Sequence, residues 1–324
     1  MLINYLLLIH KKPKQFKRLV CALQDCDSRF FVHIDKKCDI NEFRKEVHEN
    51  GNLFYVANEN RQEGRWGSLS LVEAALSTMR LAMDKGGEGH FILLSGQDYP
   101  LRSNAYIKDF LSAHKTSNFM SVYTIPDEKK SSEDGGYERF ISWTFDCQNP
   151  RDSRMKAKIK PFSFNRKTLG GFFRLSMYRP QLLPVAVKAW FCRRKYPEGL
   201  GMRFNEFWCV LTKDAVEKVI NTYDNRKELR EYYKYMHIPD ESMFSSILCE
   251  IPRFKDSLMP MCHYIDWDVN NNGSPKTLTM DDTLLIKEAM AKHPYILFAR
   301  KFEEDSPILD WIDDNRKNIY DGKD

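Results

Sequence analysis

One carboxylate in this sequence stands where it could accept a proton during a reaction. Pro239, Asp240 and Glu241 come directly before an apolar stretch with helical spacing, and both Pro and Asp are common where a helix begins. Glu241 would then lie in the first helical turn, where the helix dipole favours a negative charge. A carboxylate that stays ionised can take a proton from a hydroxyl group. Acidic residues at helix starts more often serve only as caps, so the local sequence by itself favours the capping interpretation.

A second group of residues could hold an anion. Arg300 and Lys301 follow the apolar run 295–299, which is predicted to be the last strand. Two cations at the end of a buried strand suit a diphosphate, because Arg offers planar paired donors and Lys offers a compact charge. Lys276 stands in a turn predicted over 273–277 and could contact a phosphate from there. Ordinary surface cations and a plain turn are the alternatives, and locally they are the more frequent ones.

Metal ligands are not predicted. Two Asp-x-Asp tripeptides occur, at 25–27 and 266–268, and such pairs arise by chance in a chain with 45 acidic residues. The first separates a predicted helix from a strand, far from the other residues of interest. A metal-dependent enzyme that uses Asp266 and Asp268 is therefore kept only as an alternative. The eight cysteines have no paired spacing, so we expect reduced thiols rather than zinc ligands.

The sequence lacks the motifs that are typical of several other classes of function. The sequence has no P-loop and no G-x-G-x-x-G after the first strand, so it offers nothing typical for ATP or a dinucleotide. It also lacks the G-x-S-x-G elbow of a serine hydrolase. The net charge is +5, and basic residues are mostly interleaved with acidic ones, which is not typical of a nucleic-acid-binding protein. The mild positive charge fits a small anionic ligand or a loose attraction to a membrane surface.

Strand-like and helix-like runs alternate in the first half of the chain. In chain order they are 5–9, 16–23, 29–34, 53–56, the apolar stripe that begins near Ser68, and 90–94. This alternation predicts an α/β fold with a largely parallel sheet. Ligands of such sheets bind beyond the carboxyl ends of the strands. The polar residues at those positions are His10, His33, Asp35 and Asp98.

The segment 126–200 differs from both of its flanks. It is polar up to about residue 169 and carries a basic stretch from Arg151 to Lys167. We predict a long loop or a small insertion over the active-site face. A solvated basic loop is the simpler interpretation, and contact with an anionic acceptor or a membrane surface is the alternative.

No stretch of the sequence approaches the roughly 20 apolar residues of a membrane-spanning helix. The apolar start, residues 2–9, is short and is not followed by a small-residue cleavage site. It predicts a buried strand rather than a signal peptide. We therefore expect a cytoplasmic protein, and peripheral contact with the inner face of the membrane is a further hypothesis.

Eight short motifs stand in a fixed order along the chain. They are LLIHK at 7–11, FVHID at 31–35, WGS at 66–68, LLSGQDYPL at 93–101, FWCVLT at 207–212, PDE at 239–241, SPKTLT at 274–279 and LFARKF at 297–302. Together they resemble the core-2/I-branching β-1,6-N-acetylglucosaminyltransferase family, which also includes peptide O-xylosyltransferases. The chain shows neither the membrane anchor nor the cysteine pattern of the animal members, so it looks like a bacterial-type member.

The resemblance implies a GT-A type fold, in which a nucleotide-binding α/β half is fused to an acceptor half. Residues 1–125 would bind the nucleotide sugar, 126–200 would form a variable basic insertion, and 201–324 would hold the acceptor and the catalytic residue. Members of the family use a UDP-sugar, invert its anomeric centre and need no metal ion. The expected donor carries N-acetylglucosamine, with xylose as the alternative. The expected acceptor is a glycan or lipid-linked glycan of a surface polysaccharide.

The same resemblance assigns roles at the diphosphate and at the acceptor hydroxyl. Glu241 is implied to be the general base, and Lys301 is implied to hold the diphosphate. Lys276 and Arg300 are the candidates for a second phosphate-binding cation. A non-catalytic carbohydrate- or nucleotide-binding protein on the same fold is the alternative function.

The remaining implied contacts fall into two groups. His10, His33 and Asp35 lie in the nucleotide-binding region, where Asp35 is expected to contact the uridine. The residues expected at the acceptor are Asp98, Trp208, Tyr264 and Trp267. Aromatic rings can stack on sugar faces, although core packing is the more frequent use of such side chains.

Overall fold

A seven-stranded sheet forms the centre of the computed structural model, which describes residues 1–127, 134–149, 152–267 and 274–316. The strands, in chain order, are β1 Ile3–Ile9, β2 Ser28–Ile34, β3 Leu53–Tyr55, β4 His90–Ser95, β5 Asp98–Pro100, β6 Asn118–Phe119, β7 Val122–Thr124, β8 Trp143–Asp146, β9 Lys156–Ile159, β10 Arg203–Asn205, β11 Val210–Thr212, β12 Leu258–Met259, β13 His263–Ile265 and β14 Phe298–Arg300. The order in the large sheet is β12-β6-β11-β4-β1-β2-β3. The strands β4, β1, β2 and β3 are parallel, whereas β11 runs antiparallel to both of its neighbours. The predicted α/β fold with a largely parallel sheet is confirmed.

Helices cover both faces of this sheet. In chain order they are α1 Pro13–Leu23, α2 Ile40–Glu46, α3 Leu69–Asp84, α4 Asn104–Ala113, α5 Glu138–Ile141, α6 Arg166–Tyr178, α7 Leu183–Trp190, α8 Lys213–Asn225, α9 Lys227–Lys234, α10 Met243–Leu248, α11 Pro252–Asp256, α12 Thr283–Lys292 and α13 Pro307–Asn315. Side chains of β1 alternate between two apolar clusters, with Leu7 in one and Leu6 in the other. The first cluster includes residues of α1, α4 and α13, and the second includes residues of α3, α8 and α10. Burial on both faces explains why β1 is an almost continuous apolar run.

The apolar stripe predicted from Ser68 onward forms α3. Val72, Leu76 and Met79 are fully buried, as their spacing of three and four residues predicts. The Ser68 side chain does not cap the helix. Its hydroxyl donates instead to the Arg65 carbonyl at 2.9 Å, which tightens the turn before the helix.

A small three-stranded sheet, β13-β14-β5, lies beside the large one. The strand predicted at 295–299 is β14, and Arg300 is its last residue. It runs antiparallel to β5, which places Arg300 directly opposite Asp98. The strand predicted at 207–211 is β11, which is shorter than expected and begins only at Val210.

The segment predicted as a long loop is a small folded lobe. The loop prediction is therefore wrong, and the alternative of an insertion describes the structure better. The hairpin β8-β9 packs against α6 and α7 around buried side chains that include Phe145 and Leu175. Gly171 lets α6 approach the hairpin closely, because a Cβ at this position would come 2.5 Å from the Lys158 carbonyl oxygen. We call the described residues of 134–197 the insertion lobe.

Parts of the sequence interpretation concern residues that the structure does not describe. Arg151, Asp268 and Gly273 lie outside the described ranges. All eight cysteines lie inside them, and each is a free thiol, as expected. Among the described helices, none combines the length and the apolar character that crossing a membrane requires.

Candidate active site

A cleft opens beyond the carboxyl ends of β1, β2 and β4, at the sheet edge where ligands of parallel strands bind. Its volume of about 390 Å³ is within the range of small-molecule sites. Eight of the residues singled out from the sequence line it, namely His10, His33, Asp35, Trp208, Glu241, Trp267, Arg300 and Lys301. The fold thus brings residues that follow the first strand and the last strand into one cavity.

Pro239–Glu241 forms one turn of 3₁₀ helix, and the α-helix that follows begins only at Met243. Glu241 therefore lies in the first turn of a helix, as predicted, but this turn is a separate 3₁₀ helix and not the start of the α-helix. A residue distant in sequence stabilises this turn, because the Ile238 N–H donates to the Gly67 carbonyl at 3.3 Å. Gly67 has a left-handed φ of 63°, and a Cβ there would lie 3.3 Å from the Ile238 side chain. Glycine is needed at this position to seat the turn that carries Glu241.

The Glu241 carboxylate faces the cleft and has a cationic partner. Its Oε2 atom lies 2.9 Å from Nη1 of Arg139, and the two side chains are 23% and 32% exposed respectively. The Arg139 guanidinium also stacks on Phe204, at 5.0 Å from the ring centre. A cation held in this way favours the ionised carboxylate and fixes its direction. Arg139 comes from α5 of the insertion lobe, and no motif in the sequence pointed to it.

Asp240 also lines the cleft, but it is buried. Burial raises the pKa of Asp240 above its ordinary value, and the charge of the adjacent Glu241 adds to this effect. Within the described part of the chain, its Oδ1 atom has no hydrogen-bond partner. Neighbouring carboxyl groups of this kind titrate as a pair. We assign the negative charge to Glu241 and the proton to Asp240.

Arg300 lies at the cationic end of the cleft. Its guanidinium is 3.4 Å from a carboxylate oxygen of Asp98 and 4.1 Å from the ring centre of Trp208. Asp98 is only 1% exposed and accepts a hydrogen bond from the Ser95 N–H. Burial raises the pKa of Asp98, and the charge of Arg300 opposes that rise. The predicted acceptor contact by Asp98 conflicts with this position, because the antiparallel pairing of β5 with β14 places Asp98 behind Arg300 and not at the cleft surface.

Positive charge gathers around Lys301. The pKa of Lys301 is lowered by burial first and then by the charges of Arg300 and Lys11, as expected for a site that binds an anion. Arg154 lines the same cavity, and its guanidinium lies 5.0 Å from the ring centre of Trp66. The sequence placed Arg154 only within a basic stretch. Its position in the cleft follows from the fold of the insertion lobe.

His33 and Asp35 are engaged by backbone groups. Nε2 of His33 accepts the Gln62 N–H at 2.7 Å, and burial lowers the pKa of His33 to about 4, so the imidazole is neutral. Asp35 accepts the N–H groups of Lys37 and Gly64, each at 2.9 Å. A carboxylate has about four acceptor positions, so Asp35 can bind a ligand as well. Its contact with uridine stays a prediction.

His10 and Trp267 line the mouth of the cleft and are exposed. The pKa of His10 is lowered by desolvation of its imidazole and by the charge of Lys11, so the ring is neutral near pH 7. Trp267 is 47% exposed. Both positions are accessible to a ligand, and the roles expected for them stay predictions.

Lys276 and Tyr264 are absent from the described lining of the cleft. The Lys276 ammonium lies 2.5 Å from a carboxylate oxygen of Asp282 and 4.0 Å from one of Asp266. Tyr264 lies in β13 and packs, partly buried, against the core. A cation with two carboxylate neighbours is poorly placed to hold a diphosphate, so this structure lends no support to the phosphate role expected of Lys276.

The two Asp-x-Asp tripeptides occupy different surroundings. Ligand atoms of Asp25, Cys26 and Asp27 lie within 4.8 Å of one another, but this turn precedes β2 at the edge of the sheet opposite the cleft. Asp27 also pairs with Lys108. In the second tripeptide Asp266 is near Lys276, and Asp268 lies outside the described residues. In the described part of the chain, neither tripeptide therefore contributes a carboxylate to the lining of the cleft.

Comparison with protein families agrees with this arrangement. The model of the core-2/I-branching enzyme family matches residues 3–289. The chain belongs to the core-2/I-branching enzyme family. This membership confirms the resemblance carried by the eight motifs and assigns the α/β fold to the GT-A type.

This core-2/I-branching chain is also similar to curated xylosyltransferases. It is 27% identical to Xylosyltransferase 2 of Homo sapiens, over 96% of this chain and 33% of that protein. It is 24% identical to a xylosyltransferase of Ciona intestinalis, over 93% of this chain and 32% of that protein. It is 25% identical to Xylosyltransferase 1 of Mus musculus, over 77% of this chain and 22% of that protein. The chain spans at most about a third of the length of these relatives.

Proposed function

We propose that this chain is an inverting glycosyltransferase that moves a sugar from a UDP-sugar to a glycan hydroxyl without a metal ion. One observation carries the proposal: a single cleft is lined by Glu241, whose carboxylate pairs with Arg139, and by Arg300 and Lys301. The first group suits removal of a proton and the second suits a diphosphate leaving group. Membership of the core-2/I-branching family supports the same class of reaction.

The proposed reaction is one direct displacement. The acceptor oxygen attacks the anomeric carbon, and Glu241 accepts the proton of that hydroxyl group. The bond from the anomeric carbon to the β-phosphate oxygen breaks on the opposite face, so the configuration inverts. Its electron pair stays on the departing UDP, where Lys301 and Arg300 stabilise the added charge. Loss of such a base typically lowers the rate by about 10² to 10⁴.

Side-chain cations are proposed to take the place of a metal ion at the diphosphate. Arg154, Arg300 and Lys301 all line the cavity and provide positive charge at one end of it. Two of the carboxyl groups at the cleft are engaged in other ways. Asp35 accepts two backbone N–H groups, and Asp240 is kept protonated by burial.

The identity of the donor sugar is a separate proposal. The motifs favoured UDP-N-acetylglucosamine, with UDP-xylose as the alternative. The relatives at 24–27% identity are named xylosyltransferases, which makes UDP-xylose an equally strong candidate. We propose that the donor is one of these two.

The acceptor is proposed to approach Glu241 from a neighbouring cavity. This second cavity has a volume of about 220 Å³, and its lining includes Arg139, Lys158 and His237. It adjoins the main cleft at the ion pair between Arg139 and Glu241. We propose that an acceptor sugar lies here, with its reacting hydroxyl directed to Glu241, and that the acceptor is a glycan or a lipid-linked glycan.

A cytoplasmic location is proposed as well. All eight cysteines are free thiols in the structure, which is typical of proteins in reducing compartments. Fractionation of cells that produce the protein, with a cytoplasmic and an exported enzyme as markers, would test this. Recovery with the exported marker would contradict it.

The proposed reaction is best tested by release of UDP from a panel of UDP-sugars in the presence of EDTA. Wild type would be compared with Glu241→Gln, and with Glu288→Gln as the control, because Glu288 is an exposed carboxylate on α12. We expect release with one donor that survives EDTA, falls at least about 10²-fold in Glu241→Gln and is unchanged in the control. Release restored only by Mn²⁺ would contradict the metal-free reaction. UDP binding without release from any donor or acceptor would favour a non-catalytic binding protein.

A further inference from the structure

The insertion lobe carries a block of positive charge of which the proposed reaction uses only Arg154 and Lys158. Between residues 153 and 197 the sequence contains 12 Lys and Arg residues and no Asp or Glu. The chain as a whole has 50 basic and 45 acidic residues, so this block of one sign is exceptional within it. Folding brings the block together into one lobe, in which Lys156 is buried and Arg154 lines the cleft, whereas six of the other cations are exposed.

An apolar stripe runs along the outer face of α6 in this lobe. Leu169, Phe173 and Met177 are spaced four residues apart, so they lie on one side of the helix. They are 54%, 67% and 62% exposed. Thr168 and Leu175, on the opposite side of α6, are buried against the hairpin. The stripe extends for about 12 Å along the helix and points away from the lobe's core.

Aromatic side chains extend the apolar surface at the beginning of α6. Phe162, Phe164 and Phe191 are 56%, 73% and 58% exposed. Phe164 and Phe191 each pack edge-on against Trp190, with ring centres 4.7 Å and 4.8 Å from that of Trp190. The Phe162 N–H donates to the Trp190 carbonyl at 2.9 Å. Contacts with Trp190 thus hold the rings of Phe164 and Phe191, and the backbone of Phe162, in these positions.

Exposed apolar residues are concentrated in this lobe. Of the 15 large apolar side chains that are exposed in the described structure, nine lie between residues 162 and 191. Exposed cations surround them, namely Arg166, Lys167, Arg174, Lys188, Arg193 and Lys195. Contiguous apolar surface with a polar rim is typical of an interaction site.

We propose that this surface binds an anionic lipid membrane. The docking face consists of Phe162, Phe164, Leu169, Phe173, Met177 and Phe191. Its apolar side chains would enter the boundary between headgroups and acyl chains, and the surrounding cations would contact anionic headgroups. Phe and Leu on one side of a helix with Lys and Arg around them is the composition of helices that lie in a membrane interface.

The positive charge around the docking face favours an anionic lipid surface over a second copy of the chain. A dimer through the docking face would bring two sets of six exposed cations together, of which only Lys167 has a carboxylate within 4 Å in the described structure, Glu138 at 3.5 Å, and like charges repel. A lipid surface supplies the opposite charge and an apolar layer at once. A second copy or an acidic protein partner is therefore treated as an alternative outcome of the test.

The docking face belongs to the same lobe that contributes to the cleft. Arg139 of this lobe pairs with Glu241, and Arg154 lines the main cavity. Binding through the lobe would hold the cleft close to the lipid surface, where a lipid-linked acceptor would be found. The membrane proposal itself does not depend on catalysis, so it can fail or succeed independently of the proposed reaction.

The test is co-sedimentation of the full chain with lipid vesicles. One set contains phosphatidylcholine with roughly 30% phosphatidylglycerol, and the other contains phosphatidylcholine alone. The test variant combines Leu169→Ser with Phe173→Ser. The matched control combines Leu284→Ser with Leu285→Ser, because these side chains are 64% and 48% exposed on α12, outside the lobe. Thermal unfolding and UDP binding would confirm that both variants fold.

We expect wild type and control to bind the anionic vesicles, more weakly at high salt, and to bind the neutral vesicles poorly. The test variant should lose at least about tenfold in partition coefficient, because two exposed apolar side chains no longer enter the lipid. Absence of binding to anionic vesicles would overturn the proposal, as would an equal loss in both variants. A dimer that the test variant abolishes, without any vesicle binding, would identify a second copy as the occupant instead.

Discussion

Replacement of Asp98 by Asn tests how the cationic end of the cleft is held. Asn keeps the size of the side chain and an oxygen that can accept the Ser95 N–H. It removes the negative charge that lies 3.4 Å from the Arg300 guanidinium. Because the Asp98 side chain is fully buried and that of Arg300 is only 12% exposed, water cannot replace the lost attraction.

The expected effect of Asp98→Asn on stability is large. Removal of one partner from a buried ion pair typically costs about 3–5 kcal/mol. The long 3.4 Å contact and the residual exposure of Arg300 favour the lower end, about 3 kcal/mol. A domain of this size loses about 2 °C in Tm for each kcal/mol, so we expect Tm to fall by about 6 °C.

Thermal unfolding followed by circular dichroism measures this change. Asp109→Asn is the matched control, because Asp109 is an exposed carboxylate on α4, and its Tm should stay within about 1 °C of wild type. If Asp98 contacts an acceptor instead, Asp98→Asn would keep the wild-type Tm and raise the KM for the acceptor. That pair of results would refute the assignment of Asp98 as the anchor of Arg300.

Three further predictions concern the diphosphate, the base and the response to acid. Lys301→Ala should raise the Kd for UDP by about 10- to 100-fold, because hydrogen bonds to charged groups contribute about 1.5–3 kcal/mol. Titration calorimetry measures this Kd, and Lys292→Ala, which changes an exposed lysine, is the control. An unchanged Kd in Lys301→Ala would contradict the prediction. Arg139→Gln should lower kcat by about tenfold with little change in the donor KM, because Glu241 loses the cation that orients it. Steady-state kinetics measure both constants. A change in the donor KM alone would refute the role of Arg139 in orienting Glu241. The folded-state pKa of His33 is about 4 and the unfolded value is about 6.5, so below pH 6.5 the unfolded chain binds the proton more readily. His33 therefore contributes a loss of stability as the pH falls from about 6.5 to 4, at up to about 1.4 kcal/mol per pH unit. Urea unfolding across this range should show a shallower loss in His33→Gln, and equal slopes would argue against a buried neutral imidazole.

The candidate site depends on contacts between parts of the chain that are far apart in sequence. Glu241 is oriented by Arg139, which lies 102 positions earlier, and its turn is seated by the Ile238–Gly67 hydrogen bond. Arg300 is anchored by Asp98 across two antiparallel strands. Changes in the insertion lobe are therefore expected to alter the reaction even where they touch no substrate.

Much of the cleft at the ends of β1, β2 and β4 could be located from the sequence. Short continuous apolar runs identified β1, β2 and β4, because these strands are buried on both faces. Apolar residues spaced three and four apart identified α3, because one face of that helix is buried. Residues that follow parallel strands meet at one edge of a sheet. His10 and Asp35 could therefore be assigned to one region before any contact was known, whereas the role of Lys301 was implied by the resemblance.

The insertion lobe shows where local patterns were insufficient. Its polar and basic composition predicted a loop, yet β8, β9, α6 and α7 form a small core around Phe145 and Leu175. The apolar residues of this small core are distributed over several short strands and helices. They therefore form no long pattern of strand or helix spacing in the sequence. The exposed stripe of α6 also has helical spacing, so only the packing shows that it faces outward.

By itself, the sequence determined the α/β class, the strand-end positions of the polar residues and the family to which the chain belongs, because these follow from local periodicity and ordered motifs. Tertiary structure alone decided which charges meet. Lys276 pairs with Asp282 and is not part of the described cleft lining, whereas Arg139 of the insertion lobe pairs with Glu241 at the site. Coulomb interactions depend on separation in space and on burial, and neither quantity can be read from the order of residues in the chain.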